Sequence, residues 1–492
     1  MVVRQRALRI PLVARAVGGG AAVRDLVEAV EGLREGRLRS VELIREALAR
    51  ARLVQLRHNC FVHIDAEGSM AAAEMADALI QGCVVEGVRP PGALLGVPLA
   101  HKDMFEREGR PTSCASKVRE PRAARRSATV VSRLDLAGAV DLGTLNMAEF
   151  ALGATGHNAT TGDCRNAWDP EFISGGSSSG SAVAVATGSV FASLGSDTGG
   201  SVRIPASANG VVGLKPTYGL IPRTGSMKLS PSIDVIGPMA RSARDIALLL
   251  EVLAGADGLD ACSSSRPRPR YAHELARGVE GLRIGVPRNH FPVGVAPVIR
   301  AAMEAALAAL EGAGAILVPL DVPEDVAAMA ELSRAVVYAE ATALHGEALR
   351  RLGARYTPQV RLRASTGLGI PAPLYLEALQ WRLPLLRRFV AQVFSRCDVL
   401  HTPTIPIPVP RRDETDVGAG PALWELLAQL VRCTAPFNYL GLPAISVPAG
   451  LDSRGLPIGA QYVARPFAEA VLLRVAAVQQ REVLLPALPS AD

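Results

Sequence analysis

Residues 174–206 read SGGSSSGSAVAVATGSVFASLGSDTGGSVRIPA, and this stretch decides which fold and site to expect. Its apolar runs predict a helix over 180–188 and a strand over 190–196. Two Gly-Gly pairs, at 175–176 and 199–200, each stand directly before a serine. Because glycine adopts unusual backbone angles and leaves N–H groups accessible, such a pair suits a loop that binds an oxyanion. We therefore expect an ordered, functional loop region rather than a low-complexity linker.

A second segment, HKD at 101–103, comes at the end of an apolar run that covers 94–101. The run predicts a strand with Lys102 and Asp103 at its carboxyl end, where sites in α/β sheets are built. Only four of the 53 Lys and Arg residues are lysines, at positions 102, 117, 215 and 228. Since arginine does not release its proton, a lysine is the cation that can act as a base. Lys102 is therefore the first candidate for a residue that takes part in chemistry. If Lys102 is considered without the two serine segments, a surface salt bridge with Asp103 is the alternative interpretation.

A serine hydroxyl is a weak nucleophile until a nearby base takes its proton, and a lysine is that base only where its surroundings keep it neutral. Lys102 and the two Gly-Gly-Ser segments resemble the amidase signature family, whose hallmark is a Lys–cis-Ser–Ser triad. Lys102 matches the family's lysine, Ser177 the first serine of its GGSS segment, and Ser201 the serine of DxGGSxRxPA. The resemblance runs from about 22 to 482 and includes the motifs GLKPTYG (213–219), IDVIGPMARSARD (233–245), CDVLHTPT (397–404) and FNYLGLPAISVPAG (437–450).

The resemblance implies a role for each residue of these segments. It implies a cis Gly176–Ser177 bond, with Ser177 relaying a proton between Lys102 and the nucleophile Ser201. The implied oxyanion hole consists of backbone N–H groups of Thr198, Gly199, Gly200 and Ser201, and the residues implied to brace the loop and the lysine are Ser178, Asp197 and Arg203. The implied substrate-binding residues are Ala151, Leu152, Gly153 and Ile204. The sequence departs from the family pattern at Ser179, where glycine is usual, and at NAWD (166–169), where NPWD is usual.

The whole pattern predicts an α/β protein with the amidase signature fold, in which helices cover both faces of a large mixed sheet. Residues 22–50 predict a helix pair with Ser40 as a cap, followed by a helix over 70–81. A capped amphipathic helix is expected over 242–254. Further strands are expected at 282–286, 315–319, 398–401 and 443–448, and further helices at 298–313, 325–352, 373–395, 421–431 and 467–480.

The predicted organisation is one domain over 22–482, with a signature core at about 90–255 and a more variable part at about 256–482. A flexible extension is expected at 1–21 and a tail at 483–492. The first twenty residues carry four arginines and no acidic residue, but Arg9 and Arg15 interrupt the apolar run that a secretory signal needs. We therefore interpret them as an extension rather than a targeting peptide.

Composition excludes several other classes of protein. The formal net charge is +6, but basic and acidic residues are interspersed, which argues against a nucleic-acid footprint. No apolar stretch is long enough to cross a bilayer. The seven cysteines are scattered and the eight histidines form no HxxxH cluster, so neither a disulfide framework, a metal site nor a cofactor is expected. The expected setting is the cytoplasm, the expected partner is a small-molecule amide, and a homodimer is considered as the assembly.

Two interpretations compete for the nucleophile. Residues 176–180, GSSSG, also satisfy GxSxG, the nucleophile elbow of α/β-hydrolases, with Ser178 at its centre. That elbow requires a strand immediately before it, and an acid and a histidine downstream. The preceding NAWDPEFI contains Pro170 and does not resemble a core strand, although His345 and His401 lie downstream. The triad of the amidase signature family is therefore preferred.

Two functions fit this triad. The first is a free-standing hydrolase of an amide, or of a related anilide, carbamate or ester, through a Ser201 acyl-enzyme. The alternative is the glutaminase (A) subunit of a tRNA-dependent amidotransferase, whose pattern typically has Gln where this chain has Ile204, and Asp-Gln where it has Asp234-Val235. Apolar replacements favour an apolar acyl group, so the hydrolase is ranked first and a catalytically dead scaffold last. Tyr338, Tyr375, Trp381 and Phe437 are candidate wall residues, although ordinary core packing is the favoured interpretation for each of them.

Overall fold

The computed structural model describes residues 25–485, in which eleven strands form a single mixed sheet. The strands are β1 (Phe61–Ile64), β2 (Pro98–Lys102), β3 (Val140–Leu145), β4 (Ala192–Asp197), β5 (Val212–Lys215), β6 (Val235–Ala240), β7 (Arg283–Pro287), β8 (Ile316–Leu320), β9 (Val399–Pro403), β10 (Ala444–Leu451) and β11 (Pro457–Ala464). Their spatial order is β1-β3-β2-β4-β6-β5-β10-β11-β9-β7-β8. Pairing is parallel in β3-β2-β4 and in β9-β7-β8, and antiparallel at the other junctions.

The sheet is buried on both faces, as neighbouring residues of single strands show. Successive side chains of a strand point to opposite faces. Leu99 and Ala100 of β2 belong to two different apolar cores, and so do Val399 and Leu400 of β9. The α/β prediction of a large mixed sheet with helices on both faces is confirmed.

Sixteen α-helices of the described part surround the sheet. They are α1 (Leu26–Arg34), α2 (Ser40–His58), α3 (Ala66–Glu86), α4 (Thr129–Leu136), α5 (Ser179–Ala186), α6 (Arg203–Asn209), α7 (Ala243–Leu253), α8 (Tyr271–Glu274), α9 (Pro297–Gly312), α10 (Val326–Leu352), α11 (Pro358–Ser365), α12 (Ala372–Val393), α13 (Arg412–Thr415), α14 (Pro421–Val431), α15 (Ala435–Tyr439) and α16 (Glu469–Glu482). Most predicted elements occur within a few residues of their expected bounds, and Ser242 forms the capping box of α7 as expected. The second helix of the pair predicted over 22–50 continues to His58, as α2. The helix predicted over 70–81 extends further in both directions, as α3.

The prediction that Ser40 caps its helix is wrong. Arg39 occupies the cap position, and α2 begins at Ser40. The Ser40 hydroxyl instead donates to the Gly96 carbonyl at 2.8 Å. The N–H groups of Ser40 and Val41 donate to the carboxylate of Asp77 on α3, so a neighbouring helix supplies the acceptor that a local cap would provide.

The extension predicted at 1–21 lies outside the described residues, as does most of the tail predicted at 483–492. Between residues 25 and 485, no helix combines the length and the apolar character needed to span a membrane. The order of the strands brings β2 next to β4, and therefore brings the ends of the HKD and GSDTGGS segments together.

Candidate active site

Lys102 is the last residue of β2, and its amine end lies in a ring of serine hydroxyls. Its Nζ is 2.7 Å from Ser177 Oγ, 2.9 Å from Ser196 Oγ and 3.0 Å from Ser178 Oγ. Lys102 is only 1% exposed. Burial away from water penalises the charged form of a lysine, and hydroxyls compensate that charge less well than a carboxylate does.

This environment lowers the pKa of Lys102 to about 7, with burial as the main cause. The negative charges of Asp234 and Asp197 act in the opposite direction but do not cancel the effect of burial. The alternative of a salt bridge with Asp103 is not observed, since the carboxylate of Asp103 accepts hydrogen bonds from the N–H groups of Ser113 and Ala115 instead. A substantial fraction of Lys102 is therefore neutral at pH 7, as a base requires.

Ser177 lies in the turn that leads into α5, and the Gly176–Ser177 peptide bond is cis. Its hydroxyl contacts Lys102, and its carbonyl accepts a hydrogen bond from Ala148 N–H at 3.1 Å. Ser178 is fully buried, and its hydroxyl is held between Lys102 and the backbone of Ser196. The Ser178 hydroxyl thus contacts the lysine amine, as does that of Ser177.

Ser201 follows the second Gly-Gly pair and opens into a cavity of about 610 Å³. Gly200 has a φ of +128°, and a Cβ at this position would collide with the side chain of Thr434, so glycine is needed there. The N–H groups of Thr198, Gly199 and Ser201 have no hydrogen-bond partner between residues 25 and 485. They are available to a developing oxyanion.

Gly200 differs from the other three expected oxyanion-hole donors. Its N–H donates to Asp197 Oδ1 at 2.8 Å. This bond fixes the loop, because the same carboxylate also accepts from Val202 N–H at 3.1 Å. The structure therefore leaves three of the four expected N–H groups free for substrate within the described part of the chain.

Asp197 and Arg203 form a completely buried ion pair behind the loop, at 2.9 Å between Oδ1 and Nη2. Arg203 also donates to Gln461 Oε1 and Asn438 Oδ1, each at 2.6 Å. Burial alone would raise the pKa of the Asp197 carboxyl, but the attraction and hydrogen bonds of Arg203 lower it well below its usual value. The pair ties the Ser201 loop to β11 and α15, which are more than 200 residues away in the sequence.

The expected substrate-binding residues differ in whether they line this cavity. Ala151, Gly153 and Ile204 line it together with Ser201, whereas Leu152 is 3% exposed and packs in the apolar core. Most of the remaining wall is apolar and comes from α10, α14 and the segment that precedes α9. Its members include Leu229, Val293, Ala327, Val337, Ile407, Trp424, Leu427 and Val431.

Of the four aromatic residues considered for the wall, Tyr338 lines the cavity. Tyr375 donates a hydrogen bond to Glu340 Oε1 at 3.0 Å, and Trp381 is 44% exposed on α12. Phe437 is fully buried and stacks on Phe291. None of these three is among the residues that line the cavity.

The sequence did not indicate that Ser196 contacts Lys102. It also did not indicate that Asn438 and Gln461 contact Arg203. Ser196 is part of GSDTGGS and Asn438 is part of FNYLGL, but neither motif indicates on its own which charge its side chain faces. The departure at NAWD has a structural counterpart, since Ala167 N–H donates to Asn209 Oδ1 at 2.9 Å, a bond that proline cannot make.

The nucleophile elbow is not supported by the structure. Residues 174–177 form no strand before Ser178, and the Ser178 side chain is fully buried. His345 hydrogen-bonds to the hydroxyl of Tyr356 at 2.9 Å, and His401 lies on β9 beside Tyr462. Between residues 25 and 485, no group of three His, Cys, Asp or Glu side chains is placed to hold a metal ion.

Comparison with known proteins identifies the family of the chain. The model of the family described as Amidase matches residues 42–473. The chain is 39% identical over 479 residues to the A subunit of the glutamyl-tRNA(Gln) amidotransferase of Roseiflexus sp. (strain RS-1), in an alignment that covers 93% of this chain and 96% of that protein. Among solved structures, a crystal structure of an amidase has a TM-score of 0.81 and 34% identity over 93% of this chain and 99% of that one. The A subunit of the glutamyl-tRNA(Gln) amidotransferase of Thermotoga maritima has a TM-score of 0.77 and 31% identity over 94% and 97%.

Proposed function

The chain belongs to the amidase signature family and is an enzyme that acts on amide carbon–nitrogen bonds, and we propose that it hydrolyses a small-molecule amide with an apolar acyl group. The observation that carries this proposal is the position of Ile204. Its side chain lines the same cavity as Ser201, where the glutaminase pattern typically has glutamine. The apolar side chain of Ile204 offers no hydrogen-bond partner to a polar acyl group at this position and so favours an apolar one. Charged side chains also line the cavity, namely Glu331, Arg334, Arg363 and Arg432.

The proposed reaction begins when Ser201 Oγ attacks the carbonyl carbon of the amide. The hydroxyl proton passes through Ser177 to neutral Lys102, while the N–H groups of Thr198, Gly199 and Ser201 stabilise the oxyanion. The carbon–nitrogen bond then breaks, and the proton returns from Lys102 to the departing amine. A water molecule, deprotonated by the same route, attacks the acyl-enzyme and releases the acid and Ser201.

The second candidate is the glutaminase (A) subunit of a tRNA-dependent amidotransferase. The curated relatives favour it over a free-standing hydrolase, because relatives at 38–42% identity are named as the A subunit of a glutamyl-tRNA(Gln) amidotransferase. The wall around Ile204 supports the hydrolase instead. Genes for the other two amidotransferase subunits next to the gene of this chain would reverse the order of the two candidates.

A pair of substrates tests the two candidates. We expect the purified protein to hydrolyse an anilide of an apolar acid with a higher kcat/KM than L-glutamine. Ile204→Gln should lower kcat/KM for the anilide by about tenfold, the effect of losing a favourable apolar contact. Val337→Gln, a matched change elsewhere in the wall, should have a smaller effect. Glutaminase activity that exceeds anilide hydrolysis in the wild type would establish the second candidate instead.

A further inference from the structure

The charged side chains that line the cavity at Ser201 do not balance one another. Arg334 forms an ion pair with Glu331, about one helical turn away, and both side chains are more than half exposed. The other two, Arg363 and Arg432, form no ion pair with any carboxylate between residues 25 and 485. The wall of the cavity therefore carries two guanidinium charges that no acidic group of the described chain compensates.

These two arginines lie near opposite ends of α14. Arg363 Nε donates to the hydroxyl of Tyr338 at 3.3 Å, and the ring of Tyr338 packs edge-on against Trp424, near the start of α14. Arg432 directly follows the last residue of this helix. Eight residues separate Trp424 from Arg432, so helical geometry places their backbones about 12 Å apart. The two arginines therefore belong to different parts of the cavity wall.

Arg432 lies at the nucleophile end of the cavity. Thr434 follows it by two residues, and the Thr434 hydroxyl donates to the carbonyl of Gly199 at 2.6 Å. Two residues span at most about 7 Å, so the backbone of Arg432 lies within that distance of a residue that packs on the oxyanion loop. An anion bound by Arg432 would therefore lie on the side of the cavity where the amide reacts.

The guanidinium of Arg432 keeps most of its hydrogen-bonding capacity. Its Nη1 donates to the carbonyl of His290 at 3.2 Å, and His290 also lines the cavity. A guanidinium has five N–H groups. The other four N–H groups of Arg432 have no acceptor among the described residues. Because a planar guanidinium binds a carboxylate through two parallel hydrogen bonds, a carboxylate of the substrate would satisfy both the charge and the free donors.

We propose that the substrate is an N-acyl amino acid, that is, an amide with an apolar acyl group whose amine part carries a carboxylate, and that Arg432 binds this carboxylate. The inference rests on the proposed function, which places the apolar acyl group at Ile204 and leaves the amine part for the guanidinium. Hydrolysis breaks the bond between the acyl carbon and the nitrogen. Water supplies the hydroxyl to the carbon and the proton to the nitrogen, and the products are an apolar acid and an amino acid.

Three probes test the carboxylate and its position by isothermal titration of the Ser201→Ala variant, which binds without turnover. They are N-hexanoylglycine, N-propylhexanamide, which has an ethyl group in place of the carboxylate, and the monopropylamide of hexanedioic acid, which carries a carboxylate on the acyl part. We expect N-hexanoylglycine to bind about tenfold more tightly than either of the other two, because only its carboxylate reaches Arg432. Equal affinities, no binding of N-hexanoylglycine, or tightest binding of the monopropylamide would overturn the proposal.

Arginine variants in the Ser201→Ala background locate the group that binds the carboxylate. Arg432→Gln should remove the preference for N-hexanoylglycine over N-propylhexanamide, whereas Arg432→Lys, which keeps the charge, should retain part of it. Arg334→Gln is the matched control, since Arg334 already has an acidic partner, and it should keep the full preference. A purely structural role of Arg432 in holding His290 would weaken the binding of both probes equally. A preference that survives Arg432→Gln, or that Arg363→Gln removes instead, would overturn the proposal.

Kinetics of the wild-type enzyme separate this inference from the proposed function. We expect kcat/KM for N-hexanoylglycine to exceed that for N-propylhexanamide by about tenfold. Hydrolysis of the anilide without this preference would refute the N-acyl amino acid and leave the proposed function in place. Binding of N-hexanoylglycine that depends on Arg432, without hydrolysis of any amide, would refute the proposed function and leave the carboxylate site in place.

Discussion

The pH of the assay directly tests the neutral state of Lys102. The pKa of this lysine is lowered from 10.5 to about 7, mainly by burial. The neutral fraction then rises from about 3% at pH 5.5 to about 90% at pH 8, whereas an unperturbed lysine would be about 0.3% neutral at pH 8. If free enzyme with neutral Lys102 is the reactive form, kcat/KM should rise about 30-fold between these two values and reach a plateau above pH 8.

Two other buried groups titrate near this range and must be separated from Lys102. Burial lowers the pKa of Lys215 to about 7 and raises that of Asp234 to about 6. The charge of Asp234 raises the pKa of Lys102, so Asp234→Asn should move the rise in kcat/KM to lower pH without removing it. Lys215→Met should leave the midpoint of the rise in place.

The assay is kcat/KM for an aryl amide from pH 5 to 10 at constant ionic strength. Burial holds the pKa values of His58, His101, His345 and His401 at about 3 to 4, so these histidines stay neutral over that range. His290 lines the cavity at Ser201, so the test uses His290→Gln, in which modification by diethyl pyrocarbonate under conditions that spare lysine should leave the activity largely intact. A midpoint near 6.5 together with loss of activity on histidine modification would refute the mechanism, as would a midpoint near 10.5.

The remaining predictions concern single side chains. Ser201→Ala should abolish hydrolysis and labelling by a fluorophosphonate while the fold is kept; labelling that persists in Ser201→Ala and disappears in Ser178→Ala would assign the nucleophile to Ser178. Lys102→Arg should lower kcat/KM by about 10²–10⁴, nearly as much as Lys102→Ala, because arginine keeps the charge but is not a base; near-normal activity would contradict the role of the lysine. Arg203→Met leaves Asp197 buried and unpaired, so the free energy of unfolding should fall by about 3–5 kcal/mol in urea denaturation, and a loss below 1 kcal/mol would show that the ion pair is not needed.

The features that could be predicted from the sequence are those that local patterns encode. Alternation of apolar strands and amphipathic helices indicated the α/β class and most element positions, because side-chain periodicity follows directly from backbone geometry. The position of Lys102 at the end of a buried strand could also be predicted from neighbouring residues, because the apolar run LLGVPLAH stands directly before it. The order of the strands was not predictable in the same way, because it depends on pairings such as β5 with β10 that join distant segments.

The features that sequence reasoning missed depend on long-range contacts. Arg203 contacts Asn438 and Gln461, which are 235 and 258 residues away. The predicted cap of α2 is wrong for the same reason. The first N–H groups of this helix donate to Asp77 of the next helix, and not to the side chain of Ser40. The N–H of Gly200 is bound by Asp197, although the pattern of Gly-Gly-Ser makes all four N–H groups of the loop look equivalent.

The two buried lysines show why environment, and not residue type, identifies the base. Lys102 and Lys215 are both almost completely buried, and burial lowers the pKa of each to about 7. Lys215 Nζ donates to the carbonyl of Pro216 at 2.9 Å, and a carbonyl has no proton to exchange. Lys102 Nζ contacts three hydroxyls, one of which belongs to Ser177 in the turn before α5. A hydroxyl both donates and accepts protons, and of these two lysines it is Lys102 whose amine contacts hydroxyls within the described residues, which is why Lys102 is the one we propose as the base.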